Sequence, residues 1–165
     1  MLPRDITHNM LVGNYGGGNG CVDNDDGSLW YNTHDNFMIY GHQKFKVGAI
    51  RNFNNVMAYV SDFAGKWSGP GEEMWETNAM FNNRVIFAPG ADSYHDCSWT
   101  GILAHDNTLY YSQNEPEING SDCKKSYTLP EWQNLAPGND VGSTVNATTP
   151  APAEIIAWGR ALLSA

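Results

Sequence analysis

The sequence predicts an all-β solenoid, and three observations lead there. An Asn followed by a short apolar run recurs at Asn9, Asn36, Asn55, Asn83 and Asn107, at intervals of 27, 19, 28 and 24 residues. A repeat of that length carrying short strands marks an array in which each unit buries its face against the next. Only 16% of the residues are charged, 12% are aromatic and 17 are Gly, which describes a turn-rich, aromatic-rich chain rather than a helical bundle. Its 165 residues suffice for one domain with a real core.

Side chains in a strand alternate between faces, so the runs can be sorted by offset from each Asn. Two positions on stand Leu11, Met38, Met57, Val85 and Leu109, expected to form an inward row. Four positions on stand Gly13, Tyr40, Tyr59, Phe87 and Tyr111, expected to form a second inward row. The residues directly after the Asn, Met10, Phe37, Val56, Arg84 and Thr108, are expected to be exposed. The Asn residues share the inward parity and predict an internal ladder at a bend, since a buried amide needs partners at both ends and stacked identical turns supply them.

Residues 1–129 are read as the stacked repeats, with loops projecting at Asp62–Thr77 and Pro89–Ser98. Residues 130–152 turn to Asn, Asp, Gly, Ser, Thr and Pro and are read as an extended linker. Residues 153–165 hold Ala-Glu-Ile-Ile-Ala-Trp-Gly-Arg-Ala-Leu-Leu, an amphipathic helix expected to cap the open core of the last repeat. Asn9 begins a repeat almost at once, so an N-terminally truncated solenoid is expected.

Eighteen acidic residues face nine basic ones, a formal charge of -9 with the cations scattered singly. That excludes nucleic acid and anionic membrane surfaces as expected partners, because both need clustered cations. No apolar run approaches the roughly 20 residues needed to span a bilayer, so membrane insertion is not expected. Cys97 and Cys123 stand about one repeat apart and are the expected disulfide, leaving Cys21 over. Asn119-Gly120-Ser121 and Asn146-Ala147-Thr148 are glycosylation sequons, and with the disulfide they point to an extracellular or cell-surface protein.

The stretches Asp23-Asn24-Asp25-Asp26-Gly27-Ser28, Tyr31-Asn32-Thr33-His34-Asp35-Asn36-Phe37, Asn55-Val56-Met57-Ala58-Tyr59-Val60, Ala104-His105-Asp106-Asn107 and Ile155-Ile156-Ala157-Trp158-Gly159-Arg160 resemble a group within the pectate-lyase-like superfamily. The resemblance implies a right-handed parallel β-helix, a single-stranded solenoid, in its C-terminal portion. It also implies the superfamily's range of activities, from polysaccharide lyases, hydrolases and epimerases to adhesins. The hydrolase branch pairs an Asp-Asp with a Gly-His one repeat on and then a basic pair, and Asp25-Asp26, Gly41-His42 and Lys44 or Arg51 are similar to it. The branch's further acid and its Arg-x-Lys element have no clean counterpart here.

Three carboxylates fall within four residues at Asp23, Asp25 and Asp26. As catalysts two of them would flank a glycosidic bond, one protonated as general acid and one ionised, with His42 beside them. In a lyase Lys44 or Arg51 would abstract the proton with calcium assistance. As metal ligands Asp23, Asp25 and Asp26 alternate with amide oxygen before Gly27 in the manner of a calcium loop. As neither, they form an Asx-rich turn in which Gly27 supplies positive φ. Trp30, Tyr31 and His34, with Phe45, Trp67, Trp75 and Trp99, are candidate sugar contacts because aromatic faces suit the apolar faces of sugars. The functional expectation is a carbohydrate-active or carbohydrate-binding β-helix module, a glycoside hydrolase or lyase if catalytic, with a polysaccharide partner. The other reading is a non-catalytic extracellular structural or adhesion scaffold.

Overall fold

The computed structural model describes residues 3–13, 20–24, 29–41, 43–44, 49–61, 78–91, 93–96, 102–119 and 123–165. It is mostly β, with parallel sheets and two helices. Strands β1 (Arg4–Thr7), β4 (Tyr31–His34), β7 (Ile50–Phe53), β9 (Asn78–Phe81) and β12 (Ile102–His105) form a five-stranded sheet in that order. Strands β2 (Met10–Val12), β5 (Phe37–Ile39), β8 (Val56–Val60), β10 (Arg84–Phe87), β13 (Thr108–Tyr110) and β15 (Thr144–Asn146) form a six-stranded sheet. Among the described residues two further pairs form, β3 (Val22–Asp23) with β6 (Gln43–Lys44) and β11 (Ser93–Asp96) with β14 (Glu117–Asn119). Every pair among the described strands is parallel, and the chain deals these strands to the sheets in rotation.

A two-residue bend joins the five-stranded to the six-stranded sheet in each repeat. Its first residue is His8, Asp35, Asn54, Asn82 or Asp106, all left-handed with φ between 53° and 56°. Asn, Asp and His are the non-glycine residues that enter that region most readily. Its second residue is the recurring Asn, and here the expected ladder stands. The backbone N–H and side-chain Nδ2 of Asn9 both donate to Asn36 Oδ1 at 3.0 and 3.1 Å. Asn36 repeats this on Asn55, Asn55 on Asn83 and Asn83 on Asn107. Each inner Nδ2 also donates to a strand carbonyl, from Asn36 to Ile6, Asn55 to Thr33, Asn83 to Asn52 and Asn107 to Met80. No inner amide is therefore left without partners, and burial costs it little.

The interior is filled by Met38, Met57, Val85 and Leu109 at offset two, joined by Ile50, Val60, Met80, Phe87 and Tyr94. Leu11 packs against them while staying half-buried. The second expected row breaks down. Gly13, Tyr40 and Tyr59 have φ of 82°, 62° and 58°: at Gly13 and Tyr40 the chain leaves the strand, and at Tyr59 it bulges within β8, so alternation ends at each. Tyr40 and Tyr59 stack on each other outside, with centroids 5.8 Å apart. Opposite Phe87 the register slips by one, so Phe87 pairs with Val60 rather than Tyr59 and is buried beside it. Tyr111 is half-buried against the same cluster.

The row at offset one is also not uniformly exposed. Met10 and Arg84 face solvent, but Phe37 and Val56 are buried, with Ala58 and Ile86, beneath helix α2 (Pro152–Leu163). Ile155, Trp158, Gly159 and Leu162 share one helical face at i, i+3, i+4 and i+7 and lie on this strip. The C-terminal helix thus covers the outer face of the six-stranded sheet, where the middle strands are apolar, instead of lying over the end of the stack. Gly159 lets it approach, since a Cβ there would sit 2.3 Å from the Phe37 ring.

The stretch 130–152 is not an extended linker. It contains most of helix α1 (Leu129–Leu135) and all of β15. Thr128 caps α1 in a capping box with Glu131, and Leu129 enters the interior cluster beside Trp132.

Candidate functional site

Fixed offsets on parallel strands place equivalent side chains about one strand spacing apart, so rows form along the stack. On the outer face of the five-stranded sheet such a row runs Thr7, His34, Phe53, Phe81, His105. The rings of His34, Phe53, Phe81 and His105 lie nearly parallel at centroid separations of 4.7, 4.9 and 4.9 Å. Beside them Asn32 Nδ2 donates to Asp5 Oδ1 at 2.9 Å, and Arg51 is exposed on the same face. A sugar stacks on a ring face, whereas this column turns the edges of Phe53 and Phe81 outward. The column is therefore a packing device more than a sugar platform.

Next to it a groove of about 300 Å3 runs along the bends. Asp35, Asn54 and Asn82, the left-handed residues, form one side, while Arg84 and Thr108 of the six-stranded sheet and Leu162 of α2 form the other. Asn82 Nδ2 donates to Asn54 Oδ1. Asp35 Oδ2 lies 2.6 Å from His34 Nδ1, and the Arg84 guanidinium is held over the Trp158 ring at 4.6 Å. One carboxylate, two amides, one guanidinium and one hydroxyl, all on ordered backbone, offer both donors and acceptors.

A second cavity, of about 270 Å3, lies between β12 and the loop after α1. Its polar wall is a buried cluster in which Asp140 receives the Tyr94 hydroxyl on Oδ1 at 3.0 Å and lies 2.9 Å from His95 Nε2 on Oδ2. Asn107 Nδ2, the last ladder amide, donates to the Tyr94 oxygen at 3.2 Å. Burial, then the charge of Asp140, raises the Tyr94 pKa well above its ordinary value. Tyr94 thus stays a protonated donor. The cluster ties the segment after α1 to β11, which is a structural duty.

The residues singled out from sequence are dispersed. Asp23 and Lys44 are register partners on β3 and β6, so the topology does bring these two together. Asp25, Asp26 and His42 lie outside the described residues, as do Phe45, Trp67, Trp75 and Trp99 and the loop 62–77. Arg51 lies on β7, in a different sheet from Asp23 and Lys44. His34 belongs to the aromatic column. Trp30 is half-buried at φ 64°, and Tyr31 receives Arg4 on its hydroxyl at 3.1 Å. No group of three His, Cys, Asp or Glu side chains suited to a metal occurs among the described residues. Cys21 Sγ donates to the Leu11 carbonyl at 4.0 Å and Cys123 is disulfide-bonded, while Cys97 lies outside the described residues. Asn119 accepts from Ser93 Oγ at 3.1 Å on β14, and Asn146 is exposed at the end of β15. No described helix is long and apolar enough to cross a membrane.

The groove residues Asp35, Asn54 and Asn82 stand one position before a recurring Asn, outside the apolar run that follows it. The residue before it, always His, Asp or Asn, carried the signal. The chain matches no protein-family model, no curated protein and no solved structure.

Proposed function

We propose that the chain is a right-handed parallel β-helix acting as an extracellular carbohydrate-binding module, with a neutral polysaccharide as its partner. Rotation of the strands among parallel sheets supports the solenoid, and parallel crossovers are right-handed with very few exceptions. The observation that carries the binding role is the groove of Asp35, Asn54, Asn82, Arg84 and Thr108. Its volume is in the range of small-ligand sites. Its mixed donors and acceptors, spaced by the strand repeat, match a chain of hydroxyls, and the net charge of -9 disfavours a polyanion. A Cys97–Cys123 bridge and glycans on Asn119 and Asn146 belong to the same proposal.

Titration calorimetry against neutral and acidic oligosaccharides tests it. Binding of a neutral glycan should weaken at least tenfold in Asn54→Gly and Asn82→Gly, in which glycine removes the amide while keeping the left-handed bend, with little change in melting temperature. Absence of binding across the panel, or binding indifferent to both substitutions, refutes it. The pairing of Asp23 with Lys44 favours a second reading, hydrolase or lyase chemistry with Asp25, Asp26 and His42 nearby in sequence and calcium held by the three Asp carboxylates. Turnover on a glycan panel with calcium supplied, lost in Asp25→Asn, is its signature.

A further inference from the structure

The two ends of the ladder differ chemically. At the C-terminal end the Asn107 N–H donates to Ser143 Oγ at 3.1 Å, and Ser143 is buried. Gln133 Nε2 of α1 then donates to the carbonyls of Asp140 and Ser143 at 2.8 and 2.9 Å. That end is closed by its own side chains. At the other end Asn9 is exposed, and its N–H and Nδ2 are spent on Asn36 Oδ1. Its own Oδ1 has no partner among the described residues. In every inner rung that oxygen receives two donors, the N–H and the Nδ2 of the preceding Asn.

The flanking strands repeat the asymmetry. Among the described residues β1 pairs only with β4, and β2 only with β5. Ile6 and Leu11, which continue the interior rows, are half-buried, and Met10 and Val12 are 56% and 59% exposed. Such an edge presents unpaired backbone groups and an apolar strip, a template for further strand addition.

We infer that the β1–β2 edge is a docking surface for one more parallel strand–Asn–strand repeat, whose Asn donates its N–H and Nδ2 to Asn9 Oδ1. The direction of the ladder selects this occupant. A second copy meeting the edge head to head would set Asn9 Oδ1 against its equal, acceptor against acceptor. A second copy arriving by its C-terminal end would bring the Ser143 end that Gln133 already occupies.

The test adds a copy of residues 31–49, one repeat by the Tyr31–Ile50 register, ahead of Arg4, so that the copied Asn36 faces Asn9. Hydrogen exchange at Ile6 to Leu11 should slow at least tenfold relative to the parent chain. The same fusion with the copied Asn36→Ala should lose most of that protection. Equal protection by the two fusions overturns the inference, as does an added copy that stays unordered by circular dichroism and leaves exchange unchanged. Concentration-dependent dimerisation of the parent chain that itself protects Ile6 to Leu11 overturns it in favour of a second copy.

Discussion

Asn83→Ala is the sharpest test of what holds the repeats in register. The Asn83 side chain donates to Asn107 Oδ1 at 3.0 Å and to the Asn52 carbonyl at 3.2 Å, and it accepts from Asn55 N–H at 3.0 Å and Asn55 Nδ2 at 3.2 Å. Alanine removes all four. Asn55 Nδ2 keeps Thr33 O and Asn52 Oδ1, but the buried Asn55 N–H loses its acceptor. An orphaned buried donor costs about 1–3 kcal/mol, and each lost hydrogen bond about 1 kcal/mol net. The sum, about 4–6 kcal/mol, is a large share of the roughly 5–15 kcal/mol that holds a domain folded. Asn9→Ala, at the exposed end, should cost under about 1 kcal/mol. Urea unfolding at constant m-value reads both. If Asn83→Ala falls within about 1 kcal/mol of wild type, or matches Asn9→Ala, the ladder does not stabilise the stack as argued.

Three further outcomes are expected. Thr33 is fully buried and its hydroxyl has no hydrogen-bond partner among the described residues, so Thr33→Val should raise stability by about 1–2 kcal/mol; a lower urea midpoint would show that the hydroxyl is satisfied. Tyr94→Phe strips Asp140 Oδ1 of its donor and should cost about 1–3 kcal/mol, while wild type should lose stability as pH rises past 10, because a group with raised folded pKa stabilises fully only below its unfolded value. Glu131 is held below its ordinary 4.5 by the Thr128 N–H and then by Lys125, and Lys125 is held above 10.5 chiefly by its hydrogen bond to Glu131. The start of α1 should therefore loosen as pH falls through the depressed Glu131 value and again as it rises through the raised Lys125 value; a Thr128 amide shift that is flat below pH 4.5 would contradict this.

The ladder and the innermost row were legible because both recur at fixed offsets from a marked residue. The aromatic column was equally periodic, two positions before each Asn, but it lay upstream of the marker. Tyr40 and Tyr59 misled because period-two counting assumes an unbroken strand, and nothing in an isolated Tyr announces φ near 60°. The Tyr94, His95 and Asp140 cluster joins residues 45 and 46 positions apart with no repeated spacing to betray them. Asp23 and Lys44 met because their strands occupy equivalent places in consecutive repeats, whereas Arg51 begins a new circuit on another sheet.

Helix α2 shows why a correct element can be assigned the wrong task. Its amphipathic face required an apolar partner, and the end of the stack was one such partner, but Phe37, Val56, Ala58 and Ile86 made another along the side. That choice links stability to the proposed binding site, because Leu162 walls the groove and Trp158 underlies Arg84. Gly159→Ala adds about 1 kcal/mol of helix propensity. Its Cβ would nevertheless sit 2.3–2.6 Å from three carbons of the Phe37 ring, and such overpacking costs about 1–3 kcal/mol. The substitution should lower the melting temperature, shift Trp158 fluorescence and weaken glycan binding together, whereas Asn82→Gly, which keeps the left-handed bend, should weaken binding with little effect on melting. A Gly159→Ala chain that melts higher than wild type with unchanged fluorescence would mean that α2 does not rest on Phe37.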